Sequence, residues 1–140
     1  MAQHVAIQGV SYRKLPAPVC TVLIADDHPE FRAVARMIVE GAGLEVVAEV
    51  ADGEAALAAV DDTGPDVVLL DIRLPGLDGI AIAELLARRK SPPAVVLTSG
   101  SDAASYGARL TAAPVRGFIP KERLSPRTLG ELLTETPCPP

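Results

Sequence analysis

Five short apolar runs, separated by amphipathic stretches, constrain the fold of this chain more than any other feature. Between residues 19 and 134, runs rich in β-branched residues alternate with stretches of helical periodicity, as expected when crossover helices join parallel strands. Most runs are apolar throughout, which is typical of strands covered by helices on both faces. The pattern predicts an α/β fold with a doubly wound parallel sheet. The predicted strands are Thr21–Ala25, Glu45–Val50, Val67–Asp71, 94–98 and Gly117–Pro120.

Helix starts and helix breakers lie between these runs. Pro29 and Pro126 each suit the first position of a helix, because the fixed φ of proline matches the helical value. A third helix is predicted over residues 79–89. The fourth, within residues 101–113, contains Gly107 and mixes small and polar residues, so we expect it to be short or mobile.

Composition and charge limit the function classes. One domain is expected over residues 19–135, between an unstructured N-terminal extension at 1–18 and a Pro-rich tail at 136–140. The formal net charge of -5 argues against a chain that holds nucleic acid or anionic lipid by general electrostatics. No apolar run approaches the roughly 20 residues of a membrane helix and no secretory signal is present, so we expect a cytoplasmic protein.

Cys20 and Cys138 show neither metal-ligand spacing nor a disulfide framework, and we expect one buried small side chain and one tail thiol.

Polar side chains end or follow four of the five predicted strands. Ligands of open parallel sheets bind outside these carboxyl ends, where the strand order reverses. In the flavodoxin-like order 2-1-3-4-5 the first and third strands are neighbours, so three carboxylates would converge and would need a cation or a raised pKa. Oxygen ligands in a partly hydrated site favour Mg²⁺. A hydroxyl and an ammonium group opposite them suit a phosphoryl group, which a carboxylate can take as an acyl phosphate. The residues concerned are Asp26, Asp27, Asp71, Thr98 and Lys121.

Four motifs in this order resemble the receiver domains of bacterial two-component response regulators. They are ADDHP at 25–29, LLDIRLPGLDG at 69–79, VVLT at 95–98 and GFIPK at 117–121. The resemblance spans most of residues 19–134 and implies a flavodoxin-like (βα)5 fold. With the segment ADGEAA at 51–56, it is most similar to the class usually joined to a helix-turn-helix output domain.

The resemblance also implies residue roles. Asp71 would be the phosphoacceptor, Lys121 would pair with the phosphoryl oxygens, and Thr98 would turn its hydroxyl toward them. Phe118 would be the aromatic switch that rotates inward when Thr98 moves. The implied Mg²⁺ ligands are Asp26, Asp27, Asp71 and the backbone carbonyl of Arg73.

The chain departs from the commonest receiver pattern at a few positions. Ser99 stands where Ala or Gly is frequent, Pro120 directly precedes the lysine, and Glu122 stands where many members have Pro. Phe118 lacks the hydroxyl that a Tyr would offer, so its switching would depend on packing.

The resemblance implies a phosphorylation-dependent signalling switch that turns over no external substrate. Its phosphodonor would be a sensor histidine kinase or a phosphotransfer protein, and its output surface would be the fourth helix, fifth strand and fifth helix, which could also join two copies. The chain is either a single-domain regulator acting on a downstream protein or the receiver of a transcription factor; it would bind neither nucleic acid nor membrane itself.

The main alternative is a phosphorylation-independent interaction module. A Mg²⁺-dependent phosphatase is disfavoured, because Arg73 occupies the position where such enzymes need a second acid. His28 is interpreted as an exposed loop residue.

Overall fold

A five-stranded parallel sheet forms the centre of the molecule in the computed structural model, which describes residues 3–7, 10–14, 19–100 and 103–134. The strand order is β4-β3-β5-β6-β7, and this is the predicted order 2-1-3-4-5. All four neighbouring pairs are parallel. The strands are β3 (Thr21–Ala25), β4 (Glu45–Val50), β5 (Val67–Asp71), β6 (Ala94–Ser99) and β7 (Gly117–Pro120). Four have the predicted bounds, and β6 extends one residue further.

Helices cover both faces of the sheet, so successive side chains along a strand enter two different apolar layers. Val68 and Leu70 of β5 join one buried cluster, whereas Val67 and Leu69 join the other. The first layer includes residues of α2 and α3, and the second includes residues of α1 and α5. The helices are α1 (Pro29–Gly41), α2 (Gly53–Thr63), α3 (Gly79–Leu86), α4 (Ala108–Ala112) and α5 (Pro126–Leu132).

The lengths of helices α3 and α4 test two predictions, and α3 corrects one of them. Helix α3 ends at Leu86 and not at Arg89, because the amides of Arg88 and Arg89 bond three residues back, to Leu85 and Leu86, and the helix tightens and stops. Helix α4 has only five residues, which confirms the predicted short element. A 3₁₀ turn (Ala103–Ser105) precedes it.

The sequence predicts an unstructured N-terminal extension, and this prediction is wrong for two of its segments. Gln3–Ile7 (β1) and Val10–Lys14 (β2) pair antiparallel in a separate two-stranded sheet. The first four residues of β2 alternate apolar and polar side chains, and the two residues between the strands in the sequence end in glycine, a hairpin signal. The tail at 136–140 lies outside the described residues.

Cys20 lies buried just before β3, which confirms the predicted buried side chain. It is disulfide-bonded, however, and the cysteine spacing had not indicated a disulfide. The other cysteine of the chain, Cys138, lies outside the described residues. Within the part of the chain that the structure describes, no helix is long and apolar enough to cross a membrane.

Candidate functional site

Parallel registration brings the predicted site residues to one edge of the sheet. Asp71 ends β5 and is paired in register with Thr98 of β6. Asp26 follows β3, the other neighbour of β5, and its amide continues the ladder by donating to the carbonyl of Val50. Lys121 follows β7 directly. Four strands therefore deliver their polar residues to the same place.

The acidic residues form one compact cluster. Ligand atoms of Asp26, Asp27, His28 and Asp71 all lie within 4.8 Å of one another. Asp26 and Asp71 are almost fully buried, with exposures of 1% and 2%. The amide of His28 donates to Asp26 Oδ1 at 2.8 Å, and this short turn fixes the carboxylate at the start of α1.

Lys121 neutralises the cluster from the side of β7. Its Nζ lies 2.6 Å from Asp26 Oδ2 and 3.3 Å from Asp71 Oδ2. The ammonium also lies 4.4 Å from the centroid of the Phe31 ring, a cation–π contact from α1. Lys121 therefore connects the acidic pair of β3 with the carboxylate of β5.

Burial and charge act in opposite directions on these groups. Burial raises the pKa of Asp71, and the nearby Asp26 charge adds to this, while the amide of Arg73 and the ammonium of Lys121 act against it. For Lys121 burial lowers the pKa, but the carboxylates of Asp26 and Asp71 outweigh it and raise the pKa overall. The lysine is accordingly charged at neutral pH, and ionisation of Asp71 is opposed by burial and by Asp26.

Two buried oxygens of the cluster fit a bound cation. Among the described residues, neither Asp26 Oδ2 nor Asp27 Oδ1 takes part in a hydrogen bond. Each has a nitrogen nearby instead, Lys121 Nζ at 2.6 Å and His28 Nδ1 at 3.0 Å. Clustered carboxylate oxygens are the ligands that a hard divalent cation coordinates, so the donor set fits a metal ion.

The other predicted site residues are Thr98, Arg73 and Phe118, and they differ in burial and in their hydrogen bonds. Thr98 is buried, and its carbonyl accepts the amide of Ile72 at 2.9 Å. The amide of Arg73 donates to Asp71 Oδ1 at 3.1 Å. Phe118 is half-buried and packs against the cluster on the face of α2 and α3. The ligand role of the Arg73 carbonyl and the switch roles of Thr98 and Phe118 stay predictions.

Sequence reasoning overlooked two neighbours of this site. His28, interpreted as a loop residue, is indeed 65% exposed, yet its Nδ1 lies 3.1 Å from Asp26 Oδ1. Tyr106 is distant in the sequence, but its hydroxyl contacts both Arg73 and Ser99. The position of His28 beside two aspartates was a signal for the first; no spacing or periodicity pointed to the second.

Comparison with known families decides what kind of domain carries this site. A family model described as the response regulator receiver domain matches residues 22–133. The chain belongs to the response regulator receiver family. The recognition made from the four sequence motifs is therefore confirmed.

Individual relatives of this receiver are transcription regulators. The DNA-binding transcriptional activator EvgA of Escherichia coli K12 is 31% identical over 100 residues, which are 71% of this chain and 49% of that protein. The probable transcriptional regulatory protein NarL of Mycobacterium tuberculosis is 36% identical over 102 residues, 72% of this chain and 47% of that protein. The receiver thus spans about half the length of these relatives.

A solved structure agrees with the fold of this receiver. The signal receiver domain of the putative response regulator NarL from Mycobacterium tuberculosis matches with a TM-score of 0.71 and 33% identity. The match covers 84% of this chain and 98% of that domain. The flavodoxin-like fold is therefore shown by a related domain as well as by the strand order.

The raised pKa of Asp71 predicts that the ionised carboxylate lowers the free energy of unfolding of this receiver. A group whose folded pKa is raised by burial disfavours folding above that pKa, and the penalty disappears as pH falls below it. Asp71→Asn should therefore raise the free energy of unfolding by about 1 kcal/mol at pH 7 without Mg²⁺. Urea denaturation at pH 7 and pH 4 should show a smaller gain at the lower pH. A gain that is equal at both would contradict the burial argument.

Proposed function

We propose that this receiver accepts a phosphoryl group on Asp71 from the phosphohistidine of a sensor histidine kinase or phosphotransfer protein. The observation that carries the proposal is the position of Asp71, buried at the end of a central strand with Lys121 Nζ 3.3 Å from its Oδ2 and two further aspartates beside it. A receiver needs no external substrate site for this reaction. The proposed function is therefore that of a signalling module that catalyses its own phosphorylation.

The chemistry proposed for Asp71 is in-line phosphoryl transfer. A carboxylate oxygen of Asp71 attacks phosphorus, the P–N bond to the donor imidazole breaks, and its electron pair stays on the imidazole nitrogen. Mg²⁺, when bound, neutralises charge on the phosphoryl oxygens. Asp26, Asp27, Asp71 and the Arg73 carbonyl are its proposed ligands. Lys121, already at Asp71 Oδ2, would bind a phosphoryl oxygen as the charge of the acceptor oxygen is lost.

The proposed output is a change in the face formed by α4, β7 and α5. Thr98 follows Leu97 on β6, and Leu97 is paired in register with Phe118 of β7, so movement of the Thr98 hydroxyl toward a phosphoryl group opens space near the aromatic ring. The name of EvgA states that it binds DNA, and we propose that this receiver likewise controls a DNA-binding output, or acts on a downstream protein as a single domain. A second copy of the chain is a further proposed partner of that face. The proposed compartment is the cytoplasm.

Intact-mass spectrometry tests phosphoryl uptake. Wild-type protein incubated with Mg²⁺ and acetyl phosphate should gain one phosphoryl group, and a chelator should prevent the gain. Thr98→Ala should retain uptake while losing the shift that phosphorylation causes in hydrogen exchange of β7 and α5. No gain with any donor, despite measurable Mg²⁺ binding, would contradict the proposal and favour a phosphorylation-independent interaction module.

A further inference from the structure

A segment around α4 is attached to the phosphoacceptor loop by polar side chains. We define the α4 segment as residues 103–112 and the phosphoacceptor loop as residues 72–78, which follow Asp71. Tyr106 Oη receives a hydrogen bond from Arg73 Nε at 3.3 Å. The Arg109 guanidinium binds Asp78 with two contacts, Nη1 to Oδ2 at 2.9 Å and Nη2 to Oδ1 at 3.0 Å.

Tyr106 also reaches the neighbouring strand end. Its hydroxyl lies 2.8 Å from the Oγ of Ser99, a buried residue that directly follows Thr98. One phenol oxygen therefore bridges the loop after Asp71 and the end of β6. Ser99 is a position where the sequence departs from the commonest receiver pattern, and the bridge depends on its hydroxyl.

Apolar packing contributes little to holding the α4 segment. Helix α4 itself has no buried residue. Tyr106 and Leu110 are only partly buried, although both pack against the cluster on that face of the sheet. The polar contacts of Tyr106 and Arg109 are thus a large share of what fixes this segment to the loop. The Arg109 hydrogen bond lowers the pKa of Asp78, as expected for a carboxylate paired in this way.

We propose that Tyr106 is a positioning residue for the phosphoryl site, acting through the side chain of Arg73. The proposal rests on the proposed function of Asp71. The amide of Arg73 donates to Asp71 Oδ1 at 3.1 Å, so the backbone of Arg73 is held beside the acceptor, while its guanidinium is bonded to Tyr106. Phosphorylation replaces the single charge of the Asp71 carboxylate with a phosphoryl group of about two negative charges, to which a guanidinium binds more strongly than to a neutral phenol oxygen.

Tyr106 and the phosphoryl group therefore compete for Arg73. When Arg73 turns to the phosphoryl oxygens, Tyr106 loses one of its two hydroxyl contacts with the site. The α4 segment then loses one of its attachments to the phosphoacceptor loop. Phosphorylation of Asp71 therefore affects α4 through Arg73 and Tyr106. This route does not pass through Phe118.

Affinity for beryllium trifluoride, BeF₃⁻, tests the competition at equilibrium, because this anion coordinates a carboxylate oxygen in the geometry of a phosphoryl group. Its half-saturating concentration is measured with excess Mg²⁺ by the rise in Tm on binding. Tyr106→Phe keeps the ring and removes the competing acceptor, so BeF₃⁻ should bind roughly two- to tenfold more tightly, the range that one hydrogen bond supports. Arg73→Gln should bind more weakly than wild type.

The double variant decides whether Tyr106 acts through Arg73. In an Arg73→Gln background, Tyr106→Phe should have no further effect, since the guanidinium under competition is gone. Tyr12→Phe is the matched control: it makes the same chemical change at the other tyrosine, on β2, and should leave the affinity unchanged. Unchanged or weaker binding by Tyr106→Phe, or an equal gain in the Arg73→Gln background, would overturn the inference. Failure of wild-type protein to bind BeF₃⁻ at all would instead contradict the proposed function.

Discussion

Gly79→Ala should lower the free energy of unfolding by about 3 kcal/mol, the size of effect seen when a substitution forces backbone apart. A Cβ at Gly79 would overlap the carbonyl oxygen of Asp71 and would lie 2.8 Å from the Cα of Ile72. Both are backbone atoms and cannot rotate away. Because the clash is with the acceptor residue itself, phosphoryl uptake from acetyl phosphate should fall together with stability.

Gly130→Ala is the matched control for this substitution. Gly130 lies in α5, and nothing lies within 4 Å of the Cβ position there. Alanine is the better helix former, so stability should rise by about 0.5–1 kcal/mol and uptake should not change. Urea denaturation measures both variants. Equal stability of the Gly79→Ala variant and wild type would show that α3 does not pack on Asp71 as described.

Lys121→Met should have the second large effect, because it leaves buried carboxylates without their cation. Lys121 lies 2.6 Å from Asp26 Oδ2 and 3.3 Å from Asp71 Oδ2, and its side chain is 17% exposed. Removing one partner of such a group typically costs several kcal/mol, and with partial exposure we expect a loss of about 2–3 kcal/mol at pH 7 without Mg²⁺. Phosphoryl uptake should slow roughly 100-fold, as when another charge-stabilising donor is removed.

Added Mg²⁺ and low pH distinguish this explanation from simple loss of packing. Either a bound cation or protonation of the carboxylates relieves their repulsion, so each should reduce the stability loss of Lys121→Met. Lys90→Met, at an exposed position after α3, is the control and should change neither stability nor uptake. A loss that is independent of both Mg²⁺ and pH would mean that Lys121 matters through its methylene stem alone.

The sequence predicted the central sheet closely because its three inner strands are buried on both faces. A run such as Val67–Asp71 is apolar except at its end, and burial leaves little choice for its bounds. The site followed from the same fact, since polar residues directly after buried strands in parallel register must meet at one edge. Asp71 and Thr98 are adjacent for this reason.

Features that depend on long-range side-chain contacts were not predictable in this way. Arg73 and Tyr106 are 33 residues apart, and Tyr106 lies in a segment without helical periodicity, so nothing local indicated their contact. Helix α3 stopped three residues early because its last amides adopt a tighter pattern that residue propensities do not specify. The N-terminal strands were missed because two five-residue segments, of which Gln3–Ile7 shows no alternation, are weak evidence of pairing on their own.

Chemical trapping of the phosphorylated residue tests most directly the claim that Asp71 is the acceptor. Three aspartates share the site, and an intact mass alone does not distinguish them. Borohydride reduces an acyl phosphate to an alcohol, so treatment after incubation with Mg²⁺ and acetyl phosphate should convert the phosphorylated aspartate to homoserine. We predict homoserine at position 71 by peptide fragmentation, and none in an Asp71→Asn variant. Homoserine at Asp26 or Asp27, or its absence from all three positions in wild-type protein, would contradict the account.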